Sequence, residues 1–201
     1  MKIFRSFIVI CLLFTATSCV ETIVVGSLAT GSMVTREKSA KDMRDDVWIS
    51  AQIITKYTGK GLNGFKNTVD VTVNEGRVLL TGVVRDPKKE ELAVSLAWKV
   101  DGVKEVINEI QLLEDPSYRP KNFSRATLDM LLTLEIETKL LIKPQLRSTN
   151  YKINTVNGVV YLMGIAADEE ELNKALDVVA RIRGVKKVVN HIILSDDRRR
   201  G

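Results

Sequence analysis

Two stretches decide the fold: Asn74-Glu75-Gly76-Arg77-Val78-Leu79-Leu80-Thr81-Gly82 and Asn157-Gly158-Val159-Val160-Tyr161-Leu162-Met163-Gly164. A shift of 82 residues pairs Gly76 with Gly158, Val78 with Val160, Leu80 with Leu162 and Gly82 with Gly164. Carried onward, the same shift pairs Ala93 with Ala175, Gly102 with Gly184, Val103 with Val185 and Lys104 with Lys186. It also pairs Val106 with Val188, Asn108 with Asn190, Ile110 with Ile192 and Leu112 with Leu194. Upstream the shift is 83, pairing Asp46 with Asp129, Ile53 with Ile136, Thr55 with Thr138 and Lys56 with Lys139, so one indel separates the frames. Self-similarity at a fixed period, carried by glycines and buried-type residues, marks a duplicated structural unit.

Each copy reads in the same order. An amphipathic helix over 46–57 (129–141 in the second copy) comes first, with Ile49, Ile53 and Ile54 recurring at about one helical turn. Val69, Val71 and Val73 then alternate with Asp70 and Thr72, and Tyr151, Ile153 and Thr155 alternate likewise, which is the period of a strand. Asn74-Glu75-Gly76 and Asn157-Gly158 supply the positive-φ residues that tight hairpins need. A return strand follows over 77–84, or 159–165. Asp86-Pro87 opens the second helix with a cap and a proline at the first helical position; Asp168 caps its counterpart, and Glu169, Glu170 and Glu171 favour the positive helix end. Leu92, Leu96 and Val100 line one face, Gly102 and Gly184 stop the helices, and a last strand over 104–112 or 186–194 closes the unit. The fold class is therefore α+β: two tandem α-β-β-α-β domains, each a three-stranded mixed sheet with two helices on one face. The first domain is expected over 42–113 and the second over 125–195. Between them, 114–124 contains Pro116 and Pro120 and reads as a stiff linker.

The N-terminus belongs to neither copy. Lys2 and Arg5 precede the apolar run from Phe7 to Phe14, which is too short to span a bilayer core needing roughly 20 apolar residues. Thr15-Ala16-Thr17-Ser18-Cys19 follows, so 1–18 reads as a signal peptide. The site resembles a bacterial lipobox, which implies a lipidated Cys19; the other reading is a general signal-peptidase site, Ala16-x-Ser18, ahead of a cysteine. With Cys11 lost in the signal, Cys19 has no disulfide partner. Val20 is not the Asp that retains bacterial lipoproteins in the inner membrane, so the outer membrane, facing the periplasm, is expected. Residues 19–41 read as a tether. The net charge of +5 includes Lys2 and Arg5, leaving a mildly basic chain. The tail over 196–201 ends in Arg198-Arg199-Arg200, which could sit near anionic headgroups.

The chain resembles the BON family, named for bacterial osmotically induced and nodulation proteins. The residues that carry the resemblance are Asp45-Asp46-Val47-Trp48-Ile49, the two turn-strand segments quoted above, and the closing Gly102-Val103-Lys104 and Gly184-Val185-Lys186-Lys187-Val188. Two copies behind a lipobox are similar to the dual-BON outer-membrane lipoproteins of proteobacteria, including the segment Thr35-Arg36-Glu37-Lys38. The resemblance implies a non-enzymatic protein that supports outer-membrane integrity, with the second domain binding anionic phospholipid through its first helix. Carried over, that helix is 129–141. Met130, Leu131 and Leu134 are its candidates for insertion, and Lys139 and Lys143 its candidates for headgroup contact. Where family members carry an aromatic near the start of this helix, this chain has Leu131; the aromatic Trp48 lies in the first copy.

Other readings stand beside these. Leu128, Leu132 and Ile136 form a plausible inward stripe, and the apolar surplus beyond one stripe marks an interaction face. Trp48 is expected to pack within its domain, with a membrane-interface role as the alternative. His191, the only histidine, reads as an inert strand residue, so neither a metal nor another cofactor is expected. No phosphate loop, nucleophile elbow or Ser/His/Asp set is evident, which argues against an enzyme and a small-molecule substrate. No nucleic-acid partner is expected either. The alternative to lipid binding is a protein-interaction or peptidoglycan-associated scaffold that meets envelope proteins, although no aromatic-lined sugar groove is evident.

Overall fold

The computed structural model describes residues 40–64, 67–113 and 123–200. The expected signal peptide, the lipidated Cys19, the tether up to residue 39 and the linker over 114–122 lie outside the described residues. The first unit runs α1 (Ala40–Tyr57), β1 (Thr68–Asn74), β2 (Arg77–Val84), α2 (Pro87–Trp98), β3 (Glu105–Asn108) and β4 (Gln111–Leu112). The second runs α3 (Phe123–Leu141), β5 (Tyr151–Val156), β6 (Val159–Ala166), α4 (Glu169–Ala180) and β7 (Lys187–Leu194). In each sheet the middle strand pairs antiparallel with the strand before it and parallel with the strand after the helix, so both sheets are mixed.

Local chemistry sets these elements. The hairpin turns are two residues long, Glu75-Gly76 and Asn157-Gly158, with φ of 54° and 78° in the first and 56° and 80° in the second. Positive φ at both central positions is the turn whose twist matches that of the flanking strands. Asp86 caps α2 by accepting from the Lys88 N–H at 3.0 Å, and Asp168 caps α4 by accepting from Glu171 at 2.8 Å. Gly82 and Gly164 sit where the neighbouring strand comes closest: a Cβ on either would collide with the carbonyl oxygen of Thr68 or Asn150.

The first helices begin earlier than the sequence suggests, at Ala40 and Phe123 instead of Asp46 and Asp129. The two aspartates therefore lie within their helices. Asp46, buried inside α1, accepts the N–H groups of Glu75 and Gly76 at 2.9 Å each. Asp129 accepts those of Asn157 and Gly158 at 2.8 and 2.9 Å. Each helix thus holds its hairpin turn by a carboxylate. This fixes the helix phase: Ile49, Ile53 and Tyr57 point inward, while Ile54, read as part of the stripe, is exposed. The closing strand of the first copy, expected unbroken, lapses at Glu109 and Ile110, where Asn108 Oδ1 takes the Ile110 N–H at 3.2 Å.

One core lies between helices and sheet in each unit, built on Ile53, Val78, Leu80 and Ala93 in the first and Ile136, Val160, Leu162 and Ala175 in the second. A third cluster joins the two: Leu79 and Val83 of β2 meet Val156, Tyr161 and Met163 on the opposite faces of the sheets. The domains therefore pack sheet against sheet, with helices on the outer faces. Polar bonds cross the same interface, from Asn154 Nδ2 to Thr81 Oγ1 at 2.6 Å and between His191 Nε2 and Glu109 Oε1 at 3.0 Å. His191 is consequently not an inert strand residue; its ring bridges the domains.

Candidate membrane-facing site

α3 carries more apolar residues than one helix face can bury. Leu132, Ile136 and Leu140 enter the core, and Thr133 Oγ1 donates to Thr155 Oγ1 at 2.8 Å. The remaining apolar side chains point out: Met130 is 63% exposed, Leu131 52% and Leu134 58%. Leu128, expected inward, is exposed as well, because Asp129 takes the inward position to reach the hairpin turn. Leu141, the last residue of α3, and Ile142 just past it extend the exposed set. Among the described residues, six of the eleven exposed large apolar residues lie from Leu128 to Ile142, which concentrates them on one stretch of the second domain. Their spacing of three, four and seven residues places them along the outward side of a single helix.

The expected headgroup lysines sit differently from each other. Lys139 is ion-paired with Glu135 at 2.8 Å, one turn back on the same helix, and Lys143 is exposed just past the helix end. A groove of about 620 Å³ runs along one flank of α3, between Leu128, Leu131 and Leu132 and the segment holding Arg183, Gly184 and Lys186, with Arg125 also in its wall. A second groove, of about 560 Å³, lies along the other flank, between Met130 and Leu134 and the first domain's Thr68, Asp70 and Gly82. Sequence reasoning did not anticipate either groove, since each depends on elements distant in the chain. No described helix is long and apolar enough to cross a membrane. Among the described residues no group of three or more His, Cys, Asp or Glu side chains is placed to hold a metal.

Other charged residues are committed to structure. Glu171 accepts N–H groups of Arg147 at 2.6 Å and Ala167 at 2.8 Å, and pairs with the Arg147 guanidinium at 3.2 Å. Burial opposes its ionisation, but these bonds and the Arg147 charge outweigh it and hold the carboxyl below its ordinary range. In the basic tail, Arg199 pairs with Asp197 at 2.6 Å and Arg200 with Glu75 at 3.1 Å, so two of its charges are used within the protein and not held out for headgroups. Trp48 does not pack inward; it is 51% exposed on α1, beside the exposed Val47.

A duplicated α-β-β-α-β unit, with an aspartate from the first helix pinning each hairpin turn, defines a tandem two-domain protein of a single family. The chain belongs to the BON-domain family: the BON domain model matches residues 45–114 and 129–196. It is 38% identical over 138 residues to an Anaplasma centrale protein encoded in the gshII 5' region, covering 69% of this chain and 89% of that one. It is 27% identical over 172 residues to the outer membrane lipoprotein DolP of Haemophilus influenzae, covering 85% and 86%. Osmotically-inducible protein Y of Escherichia coli is 28% identical over 149 residues, covering 74% and 72%. Among solved structures, the C-terminal domain of CdsD from the Chlamydia trachomatis type III secretion system aligns with a TM-score of 0.31 at 16% identity, covering 78% of this chain and 99% of that one.

Proposed function

We propose that this protein is a non-enzymatic envelope lipoprotein, anchored through Cys19 in the outer membrane and facing the periplasm, whose second BON domain docks onto anionic phospholipid and supports membrane integrity. The observation that carries the reading is the outward face of α3, where Met130, Leu131 and Leu134 are all more than half exposed. An amphipathic helix of this kind lies in the membrane interface with its apolar side chains among the acyl chains, and gains from nearby cations when the lipid is anionic. Lys143 and Lys139 stand at the end of that face. Similarity to an outer membrane lipoprotein over most of the chain supports the envelope setting.

The test is co-sedimentation of residues 19–201, without the signal peptide and with Cys19→Ser, with vesicles of phosphatidylglycerol and phosphatidylcholine in equal parts, or of phosphatidylcholine alone. Binding that requires phosphatidylglycerol and drops in Leu131→Glu and Leu134→Glu is the expected result. No binding to either vesicle would leave Cys19 as the sole membrane contact and favour the scaffold that meets envelope proteins or peptidoglycan.

A further inference from the structure

Two clefts flank the seam between the domains, and they occupy equivalent places in the two copies. The walls of one include Met43, Val47, Asn74, Asn150, Lys152 and Ile165, and it holds about 130 Å³. Offsets of 83 in the helices and 82 in the strands convert these residues to Ala126, Met130, Val156, Thr68, Asp70 and Val83. All of these line the groove of about 560 Å³ on the other side. The larger volume goes with smaller side chains: Ala126 stands for Met43, Asp70 for Lys152 and Val83 for Ile165. Met130 is bulkier than Val47 but points outward, 63% exposed. The fold accepts the narrow form in one copy, so packing does not dictate the open form in the other.

Ile153 and Thr155 from one face of β5 and Asn154 and Val156 from the other all line the open cleft, so its floor is the edge of that strand. β5 pairs only with β6, and the two-residue turn makes Val156 and Val159 a bonded pair. Bonding then alternates along the strand: Lys152, Asn154 and Val156 bond to β6, while Ile153 and Thr155 turn their N–H and C=O groups the other way. Among the described residues nothing bonds to those groups. Thr155 is buried and Ile153 half-buried, so this edge lies in a recess and not in open solvent. An unpaired strand edge is a template for another backbone, and buried backbone groups call for a partner.

We infer that the open cleft takes an extended, basic segment of another polypeptide, added to β5 as a further strand. Donors and acceptors two residues apart along one edge match the repeat of an extended chain and no smaller ligand. The segment's backbone bonds to Ile153 and Thr155, and its apolar side chains rest on Met130 and Leu134. Every charged residue lining the cleft is a carboxylate, Asp70, Asp129 or Glu137. Asp129 is committed to the hairpin turn, and Glu137, exposed on α3, is the acid placed for an incoming Lys or Arg. The same carboxylates repel anionic headgroups, so the cleft and the outward face of α3 differ in occupant.

The experiment uses isotope-labelled residues 19–201 with Cys19→Ser, no vesicles, and the acetylated, amidated peptide Ser-Lys-Val-Thr-Val-Lys-Ser. A second peptide carries N-methyl groups on its central Val-Thr-Val, which removes the ladder donors and leaves charge and side chains in place. The first peptide is expected to slow hydrogen exchange of the Ile153 and Thr155 amides by about tenfold or more, since both enter a ladder. The N-methylated peptide should bind at least about tenfold more weakly. Ala126→Met, which copies the narrow cleft, should also weaken binding by about tenfold, and the surface change Glu137→Lys by about threefold. Equal binding of the two peptides, or full binding by both protein variants, would overturn strand addition in this cleft. Exchange slowed at Val71 and Val73 instead would assign the edge of β1 and overturn the site. Amides of Ile153 and Thr155 already protected without peptide would make the chain's own segment or a second copy the occupant, and overturn the partner. No change at either amide would overturn the cleft, and vesicle co-sedimentation, measured separately, would still decide the membrane reading of α3.

Discussion

Arg77, only 2% exposed at the start of β2, donates from Nη1 to the carbonyl oxygen of His191 in β7 at 3.1 Å, joining the central strand of one domain to the closing strand of the other. Its Nε donates to Glu105 at 2.6 Å, so one guanidinium braces its own sheet and the domain interface together. Truncating it leaves the His191 carbonyl without this donor and Glu105 without its cation. Because Glu105 is 36% exposed, the loss is discounted from that of a fully buried pair. Arg77→Ala should cost about 2 kcal/mol, and urea unfolding should broaden or split as the domains uncouple. A single unchanged transition would show that the brace does not couple them.

Asp46 predicts a different kind of loss. Removing its carboxylate strips the acceptor from two N–H groups in the Glu75-Gly76 turn, a local effect with little bearing on the interface. Asp46→Ala should destabilise the first domain by about 2–3 kcal/mol, since bonds to a charged acceptor are among the stronger ones. Asp46→Asn, which keeps one acceptor oxygen, should lose markedly less. Hydrogen exchange of the Glu75 and Gly76 amides reads this directly: both should exchange faster in the alanine variant.

Gly82 and Gly164 allow no side chain, because the colliding atoms are backbone on the adjacent strand and φ is +108° and +151°. Gly82→Ala or Gly164→Ala should cost more than about 3 kcal/mol, from strain and from forced separation of the strands. The expected readout is loss of soluble protein, or a thermal midpoint lowered by more than about 10 °C. Normal melting of either variant would refute the close approach.

Glu171 makes stability depend on pH. Its carboxyl is held below its ordinary value of 4.5 in the folded state, so its contribution is full above that value and is lost as pH falls through the folded value. Unfolding free energy should therefore decline on acidification below about pH 4.5 more steeply in the parent than in Glu171→Gln. At neutral pH the glutamine variant should be the less stable one, since it accepts fewer of the Arg147 and Ala167 bonds. Parallel acid limbs in the two proteins would exclude Glu171 as a contributor.

What could be read from the sequence was what local chemistry writes. The Asn-Gly turn, the Asp86-Pro87 helix start, the Gly82/Gly164 pairing and the order of elements each need only a few neighbouring residues. The roles of Asp46 and Asp129 escaped because the N–H groups they accept lie 29 or 30 residues away in one copy and 28 or 29 in the other. Leu128 was misplaced for the same reason, since the helix phase is set by Asp129. The leucine surplus on α3 was legible as composition; the groove was not, because Arg183 and Lys186 reach it from a segment about fifty residues further on. The sheet-to-sheet interface did leave a trace. β2 and β6 read as continuous apolar runs, Val78-Leu79-Leu80 and Val160-Tyr161-Leu162-Met163, without the alternation of a strand with one wet face.

That shared interface also bears on how the protein is made. The first copy is synthesised ahead of the second, and until the chain has extended through β6 its Leu79 and Val83 have nothing to cover them. The half-made protein is therefore a sticky sheet in search of a partner, and another nascent copy offers the same surface. Once both are made, each copy serves as the other's lid.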